Sequence, residues 1–355
     1  MHRLARDLAE VDGRCGVSYR QLREPETIDH PPPLHLPGDE HRRFAAGSLT
    51  VAAHGVATIE GGRVHHTAIA TSDGILIGPL SPRHSTESEA YLPRDDQPLL
   101  GAPLPPTRHL PGTALHLAVA GGSGYYHTII EVFARWLLVD GWPGRPAFDH
   151  VIVNSALPLH VRQALALFGL GRLNVVETAK DPHLSADLLV VPTPLDHGVT
   201  PRWLVEGIRR TVGPQGGGTG TRFWVERGAT AHRRLANPAP VHQAVTRRGF
   251  SLVDFDVEDY GQTAGTLARA EIMAGVHGAG LANCAMVPDG ATVVDVMHPF
   301  AVSTLFWSLA SAAGHRFAYL LGAGERAPDR MDNVAYLGHD VEVPVDRLEA
   351  LLELM

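Results

Sequence analysis

The run His277-Gly278-Ala279-Gly280 offers the clearest chemistry in this chain. Its small residues leave backbone N–H groups uncovered. It follows Ile272 to Val276, an apolar run that reads as a buried strand, and precedes Leu281 to Met286, which reads as the first turns of a helix. Val287-Pro288-Asp289-Gly290 ends that helix, and Ala291 to Met297 reads as a second strand. Free amides and the positive end of a helix dipole converge at such a turn, which suits a phosphate-bearing ligand. The same glycines also serve tight packing alone. His277 stands at the carboxyl end of its strand, where open α/β sheets place ligands; a lone histidine is more often structural.

Three other groups of residues bear on chemistry. His127, Glu131 and Arg135 are spaced i, i+4, i+8 on one helical face, directly after the turn Gly121-Gly122-Ser123-Gly124. A carboxylate beside a histidine can share or shuttle a proton, as a general base must; an ion-pair ladder that stiffens a helix is the competing reading. The run Trp224 to Gly228, followed by Arg233, Arg234 and Asn237, puts arginines just past a strand, and Arg227 or Arg234 could grip a diphosphate in bidentate fashion. Solvated surface arginines are the plainer alternative. Asp259, before Tyr260-Gly261-Gln262, reads as a helix N-cap. Asp295 is an acid inside the apolar run Val293 to Val296, suited to ribose hydroxyls or to a buried structural hydrogen bond.

Alternating strands and helices must position these groups. From Thr113 onward the chain reads as strand Ala114–Val119, helix Tyr125–Val139, strand Val151–Val153, helix His160–Phe168, then strands Asn174–Glu177 and Leu188–Val191. After the glycine-rich joint Gly213 to Gly220 the alternation resumes: strand Arg222–Val225, helix Pro240–Arg248, strand Ser251–Phe255 and helix Gln262–Ala270. The Ile272 unit follows, then helix Thr304–Ala313 and strand Phe317–Leu321. Such alternation predicts parallel sheets with crossover helices. The expected fold is α/β, with two Rossmann-like domains facing a cleft. Residues 111–212 would form the first and 213–355 the second. Residues 1–110, rich in Pro, His and Gly, read as an irregular β-containing extension.

At 355 residues the chain exceeds one ordinary core. Its 38 acidic residues outnumber 30 basic ones, for a net charge of −8, which disfavours a nucleic-acid partner. Lys180 is the sole lysine, so cationic work falls to arginine, whose forked guanidinium suits phosphate. Cys15 and Cys284 fit no zinc or redox pattern and imply no disulfide framework. A cytoplasmic setting is expected. No apolar run reaches the ~18 residues of a membrane span, and peripheral contact with a membrane stays open. There is no HExxH, no Walker A sequence and no G-x-S-x-G. The run after Gly121 also lacks a dinucleotide fingerprint, because His127 stands at the third glycine position.

Taken together, these segments resemble glycosyltransferase family 61, which includes bacterial capsular-polysaccharide proteins, plant pentosyltransferases and animal N-acetylglucosaminyltransferases. Gly275 to Val296 is similar to the family's G-x-HGAGL-x-N segment with its helix and following strand, although Asp295 stands where glutamate is usual. Tyr125-Tyr126-His127 through Glu131 and Arg135 resembles its YYH helix, and Arg227, Arg234 and Asn237 its R…R…N stretch. Gly261-Gln262 resembles a Glu-Gln pair, with Gly261 departing from it. The resemblance implies a GT-B-like fold and an inverting transfer from a nucleotide sugar, expected to be a UDP-sugar, to a hydroxyl of a glycan or polysaccharide acceptor. It implies no obligatory cofactor or metal. The amides of Gly278, Ala279, Gly280 and Leu281, with Arg227 and His277, would hold the diphosphate. Arg234, Asn237, Asn283 and Asp295 would make further donor contacts, and Glu131 or His127 would be the base. The departures at Asp295 and Gly261 keep a catalytically silent nucleotide-binding or scaffold module of polysaccharide assembly as the alternative.

Overall fold

A computed structural model describes residues 4–84, 91–93, 104–196, 198–213, 220–228, 232–255, 259–326 and 338–355. The expected joint Gly213–Gly220 lies, apart from its two ends, outside the described residues. The chain is a mixed α/β protein with parallel sheets. Its described residues divide into two compact units, one within 1–26, 52–85 and 90–197, the other within 27–51 and 198–355.

The first unit is built on a ten-stranded mixed sheet. Four strands, in the spatial order His183–Pro192, Arg108–His116, His150–Val153 and Asn174–Glu177, run parallel to one another. The early strands His54–Glu60 and Arg63–His65 pair antiparallel with His183–Pro192 and extend that sheet. Residues 1–110 therefore supply strands to the main sheet as well as turns.

After Arg108–His116 the chain enters the helix expected over Tyr125–Val139, but it does not wind uniformly. An α-turn at Tyr125–His127 gives way to a π-helical stretch, Thr128–Val132, before regular α-helix resumes over Phe133–Asp140. The segment Phe133–Val139 is buried throughout and packs on strands His183–Pro192 and His54–Glu60. Helical spacing of apolar residues does not report the extra residue that widens one turn, and π-bulges inside α-helices are frequent at functional sites.

In the second unit, five parallel strands stand in the spatial order Phe250–Val253, Thr221–Val225, Ala270–Val276, Thr292–Met297 and Arg316–Leu321. In order of sequence this is 2-1-3-4-5, a doubly wound arrangement. Helices Pro238–Arg247 and Val345–Glu353 pack together, and a second group, Arg202–Val212, Tyr260–Leu267 and Leu305–Ala312, packs around residues 279–286. Every residue of Thr292–Met297 is buried, as befits an inner strand covered on both faces. Strand order reverses between Thr221–Val225 and Ala270–Val276. That switch point is where a doubly wound sheet opens its ligand crevice.

The helix expected from Leu281 winds as a tight 3-10 helix, Ala279–Met286. Arg209 holds its far end by donating from Nε to the Ala285 carbonyl at 3.2 Å and from Nη2 to Val287 and Ala313 carbonyls. Residues 27–51 are laced to the last strand. The Leu34 N–H donates to Phe317 O, the Tyr319 N–H donates to Leu34 O, and the buried Asp39 carboxylate pairs with Arg347 at 2.9 Å.

Candidate active site

Strand Ala270–Val276 ends directly into the glycine turn, and Arg227 lies two residues past the end of its neighbour Thr221–Val225. The turn and the arginine meet closely. Arg227 donates from Nη1 to the His277 carbonyl at 2.9 Å and from Nη2 to the His232 carbonyl at 3.0 Å. This position requires a glycine at 278, because a Cβ there would stand 1.7 Å from Nη1. A Cβ on Gly280 would likewise stand 2.8 Å from Val225 Cγ1. The glycines therefore seat the turn on the Val225–Arg227 segment.

The His277 ring is buried and its Nδ1 lies 2.7 Å from Asp295 Oδ2. Asp295 is wholly buried in the inner strand, and its Oδ1 has no hydrogen-bond partner among the described residues. A buried carboxylate is costly unless cations or donors compensate it. His277 supplies one donor, and the field of Arg227 and Arg233 supplies positive charge. An aspartate in an apolar run is thus the anchor that orients the histidine at the head of the turn.

Burial first, and then the nearby cation of Arg233, bring the pKa of Arg227 down to about 10 against the opposing charge of Asp295. Burial also lowers the pKa of Arg233, again against Asp295. Arg233 adopts a left-handed backbone conformation, φ 53°, uncommon for a residue with a side chain. Its Nε has no hydrogen-bond partner among the described residues. Two half-buried guanidiniums whose charges repel, with the single carboxylate of Asp295 acting on both, set up a field that favours an anion.

A cavity of about 390 Å³ opens at this switch point, lined by Val225, Arg227, Gly228, Val276 and the acids Glu226 and Asp254. Asp254 follows strand Phe250–Val253, and its carboxylate lies against Gly228. Burial raises the Glu226 pKa; His242, 2.8 Å away, opposes that shift and Asp254 adds to it. The sequence groups Arg233 and Glu226 with Arg227 but gives neither a role of its own, and it passes over Asp254. An acid just past the second strand of a doubly wound unit was the available signal for Asp254. Nothing in the Arg233-Arg234 pair shows which one turns inward.

The other expected residues have definite places. Arg234 lines the same cavity, and its guanidinium pairs with Asp340 at 2.7 Å while its N–H donates to the same carboxylate. Asn237 uses its amide on the backbone of Val343, donating to the carbonyl at 2.8 Å and accepting from the N–H at 2.9 Å. The Leu281 N–H donates to Gly278 O, and Ala279 and Gly280 open the 3-10 helix. Asn283 is fully buried within the 3-10 helix. Asp259 caps its helix by accepting from the N–H groups of Gly261 and Gln262.

In the first unit, His127 Nδ1 lies 2.7 Å from Glu131 Oε1, and Glu131 is buried within the π-helical stretch. The His127 ring occupies the space over Gly121, where a Cβ would approach it to 2.0 Å. Arg135, one turn on, meets His116, Nη1 to Nδ1, at 3.2 Å. Burial, and then the Arg135 cation, push the His116 pKa down to about 3. His127 and Glu131 are therefore a paired imidazole and carboxylate held by packing, an arrangement that can accept and relay a proton.

Among the described residues no group of three or more His, Cys, Asp or Glu side chains is placed to hold a metal ion. Nor is any described helix long and apolar enough to cross a membrane. A family model described as Glycosyltransferase 61 matches residues 125–294, a span that begins at the helix of His127 and ends in the strand of Asp295. No curated protein matches the chain.

Proposed function

From the premise that residues 125–294 form a glycosyltransferase 61 domain and the chain is a glycosyltransferase, we propose that it takes its sugar from a nucleoside diphosphate donor. The donor is assigned as a UDP-sugar, and the sugar passes with inversion to a hydroxyl of a glycan or polysaccharide acceptor. The observation that carries this reading is the half-buried, mutually repelling pair Arg227 and Arg233, with Arg227 bonded to the glycine turn. Such a pair gains most when a dianionic group arrives, and the strand-to-helix turn adds backbone donors to the same place.

The roles follow from charge. The acceptor oxygen attacks the anomeric carbon, the bond from that carbon to the diphosphate oxygen breaks, and the electron pair leaves with the diphosphate. Arg227, Arg233, His277 and the amides of Gly278, Ala279 and Gly280 stabilise that developing charge; the Leu281 N–H, expected to share this role, is taken by the Gly278 carbonyl. The acceptor proton passes to the His127–Glu131 pair. Asp295 holds the His277 ring in place, and the cavity of about 390 Å³ receives the nucleoside. Guanidiniums and amides supply the charge stabilisation in this scheme, so donor binding is assigned as metal-independent.

The test is a thermal-shift screen of nucleoside diphosphates in EDTA, on the intact protein and on Arg227→Ala. Selective binding to the folded state raises stability with ligand concentration. The expected result is a shift with UDP that Arg227→Ala abolishes. No shift with any nucleoside diphosphate would overturn the reading.

A further inference from the structure

Gly278 keeps the Arg227 guanidinium uncovered, and a second glycine does the same for a carboxylate. Gly228 follows Arg227 directly in the chain. A Cβ at Gly228 would stand 2.8 Å from Asp254 Oδ2 and 3.5 Å from Oδ1. Its φ of 54° lies in the left-handed region that favours glycine. Strand register sets this placement. Val225 and Val253 stand opposite each other on parallel neighbouring strands, and the Glu226 N–H donates to Val253 O at 2.7 Å. Arg227 and Asp254 therefore leave the same edge of the sheet together, and both line the cavity of about 390 Å³. Asp254 is exposed, so a ligand in the cavity can reach it.

An exposed acid is out of place in a cavity that serves a diphosphate, because like charges repel. Asp254 already acts this way on Glu226, whose pKa burial raises and Asp254 raises further. The Asp254 carboxylate contributes to binding only where the ligand brings donors to it. Other groups in the wall are differently engaged. Glu226 Oε1 lies 2.8 Å from His242 Nε2, and the Arg234 guanidinium pairs with Asp340. Val225, Leu235, Pro238 and Val276 present apolar side chains.

These conditions select a ligand group. An ionised carboxylate only accepts, and its two oxygens offer about four lone-pair sites, so hydroxyls add to whatever bonds it already holds. Two hydroxyls on neighbouring carbons can each donate to one oxygen. In a nucleoside diphosphate that pair is the ribose 2′- and 3′-hydroxyls, one sugar ring away from the phosphates. A 2′-deoxyribose offers one donor instead of two, and a phosphate on the 2′-oxygen sets charge against charge. We propose that Asp254 selects a ribonucleotide donor by accepting from the ribose 2′- and 3′-hydroxyls while Arg227 holds the diphosphate. This selection deepens the donor reading and rests on it.

Isothermal titration of UDP and 2′-deoxy-UDP in EDTA tests this on the intact wild type, Asp254→Ala and Asp254→Asn. The side chain is exposed, so alanine there leaves the core untouched. A hydrogen bond to a charged acceptor should make the wild type prefer UDP by about tenfold or more. Asp254→Ala should bind the two nucleotides equally. It should also bind 2′-deoxy-UDP at least as tightly as the wild type does, since a repelling charge is gone. Asp254→Asn, which keeps one acceptor oxygen, should show an intermediate preference. A residue that merely shaped the loop would weaken both nucleotides alike in Asp254→Ala, and that result would overturn the proposal. Equal binding of UDP and 2′-deoxy-UDP to the wild type, or a preference undiminished in Asp254→Ala, would also overturn it; UDP binding survives in both cases and the donor reading stands. Failure of both nucleotides to bind the wild type would overturn the donor reading and this selection with it.

Discussion

Replacing Gly278 by alanine should disable the diphosphate site while leaving the fold intact. The backbone at Gly278 is fully extended, with φ −175° and ψ 163°, a conformation any residue adopts, so alanine carries no backbone penalty. Its methyl group would stand 1.7 Å from Arg227 Nη1 and 2.8 Å from Cζ. The guanidinium must therefore move away and give up its bond to the His277 carbonyl. Displaced, it also loses its contact with the diphosphate; a hydrogen bond from a charged donor contributes about 1.5–3 kcal/mol, so UDP affinity should fall about 10- to 150-fold. Isothermal titration of UDP would measure this for the wild type, Gly278→Ala, Arg227→Met and the double variant. If Gly278 acts by seating Arg227, the double variant loses no more than Arg227→Met alone, because both changes remove the same contact. Wild-type affinity in Gly278→Ala, or losses that simply add, would refute the reasoning.

The remaining expectations concern the base, a helix cap and acid stability. Glu131→Gln should lower kcat by about 10²–10⁴ while UDP binding persists, and Gly121→Ala should act in the same direction by pushing on the His127 ring; steady-state transfer assays check both. Asp259→Ala removes the acceptor for two helix N–H groups and should cost about 1 kcal/mol, read from the urea midpoint. His315 donates from Nε2 to Cys284 O, and burial lowers its pKa from 6.5 to about 4. The unfolded chain takes up this proton at higher pH than the folded one, so stability falls as pH drops from 6.5 to about 4 and levels off below that. At about 1.4 kcal/mol per tenfold difference in proton affinity the effect is about 3 kcal/mol. Urea titrations at pH 7 and pH 4 should show a smaller acid loss in His315→Gln than in the wild type.

Much of the second unit was legible because parallel strands buried on both faces read as apolar runs with helices between them. Thr292–Met297 and Ala270–Val276 fall within two residues of their expected bounds for that reason. The glycine turn was legible as a strand-to-helix junction, but the cause of its glycines was not. Gly278 answers to a guanidinium 51 residues upstream, and sequence spacing carries no record of that contact. The π-turn at Thr128–Val132 was hidden because a single widened turn barely disturbs apolar periodicity. Tertiary partners also decide which of two adjacent arginines turns inward. Asp340 takes Arg234, whereas Arg233 takes the left-handed backbone beside the buried Asp295. The early strands alternated visibly, yet their pairing with His183–Pro192 depends on residues more than 100 positions away.

The most direct measurement is an experimental structure of the intact protein with UDP bound. The account predicts the two phosphates between Arg227 and Arg233, with amides of Gly278 to Gly280 donating to them and His277 within hydrogen-bond distance. A nucleotide bound with its phosphates away from both arginines would contradict the central claim.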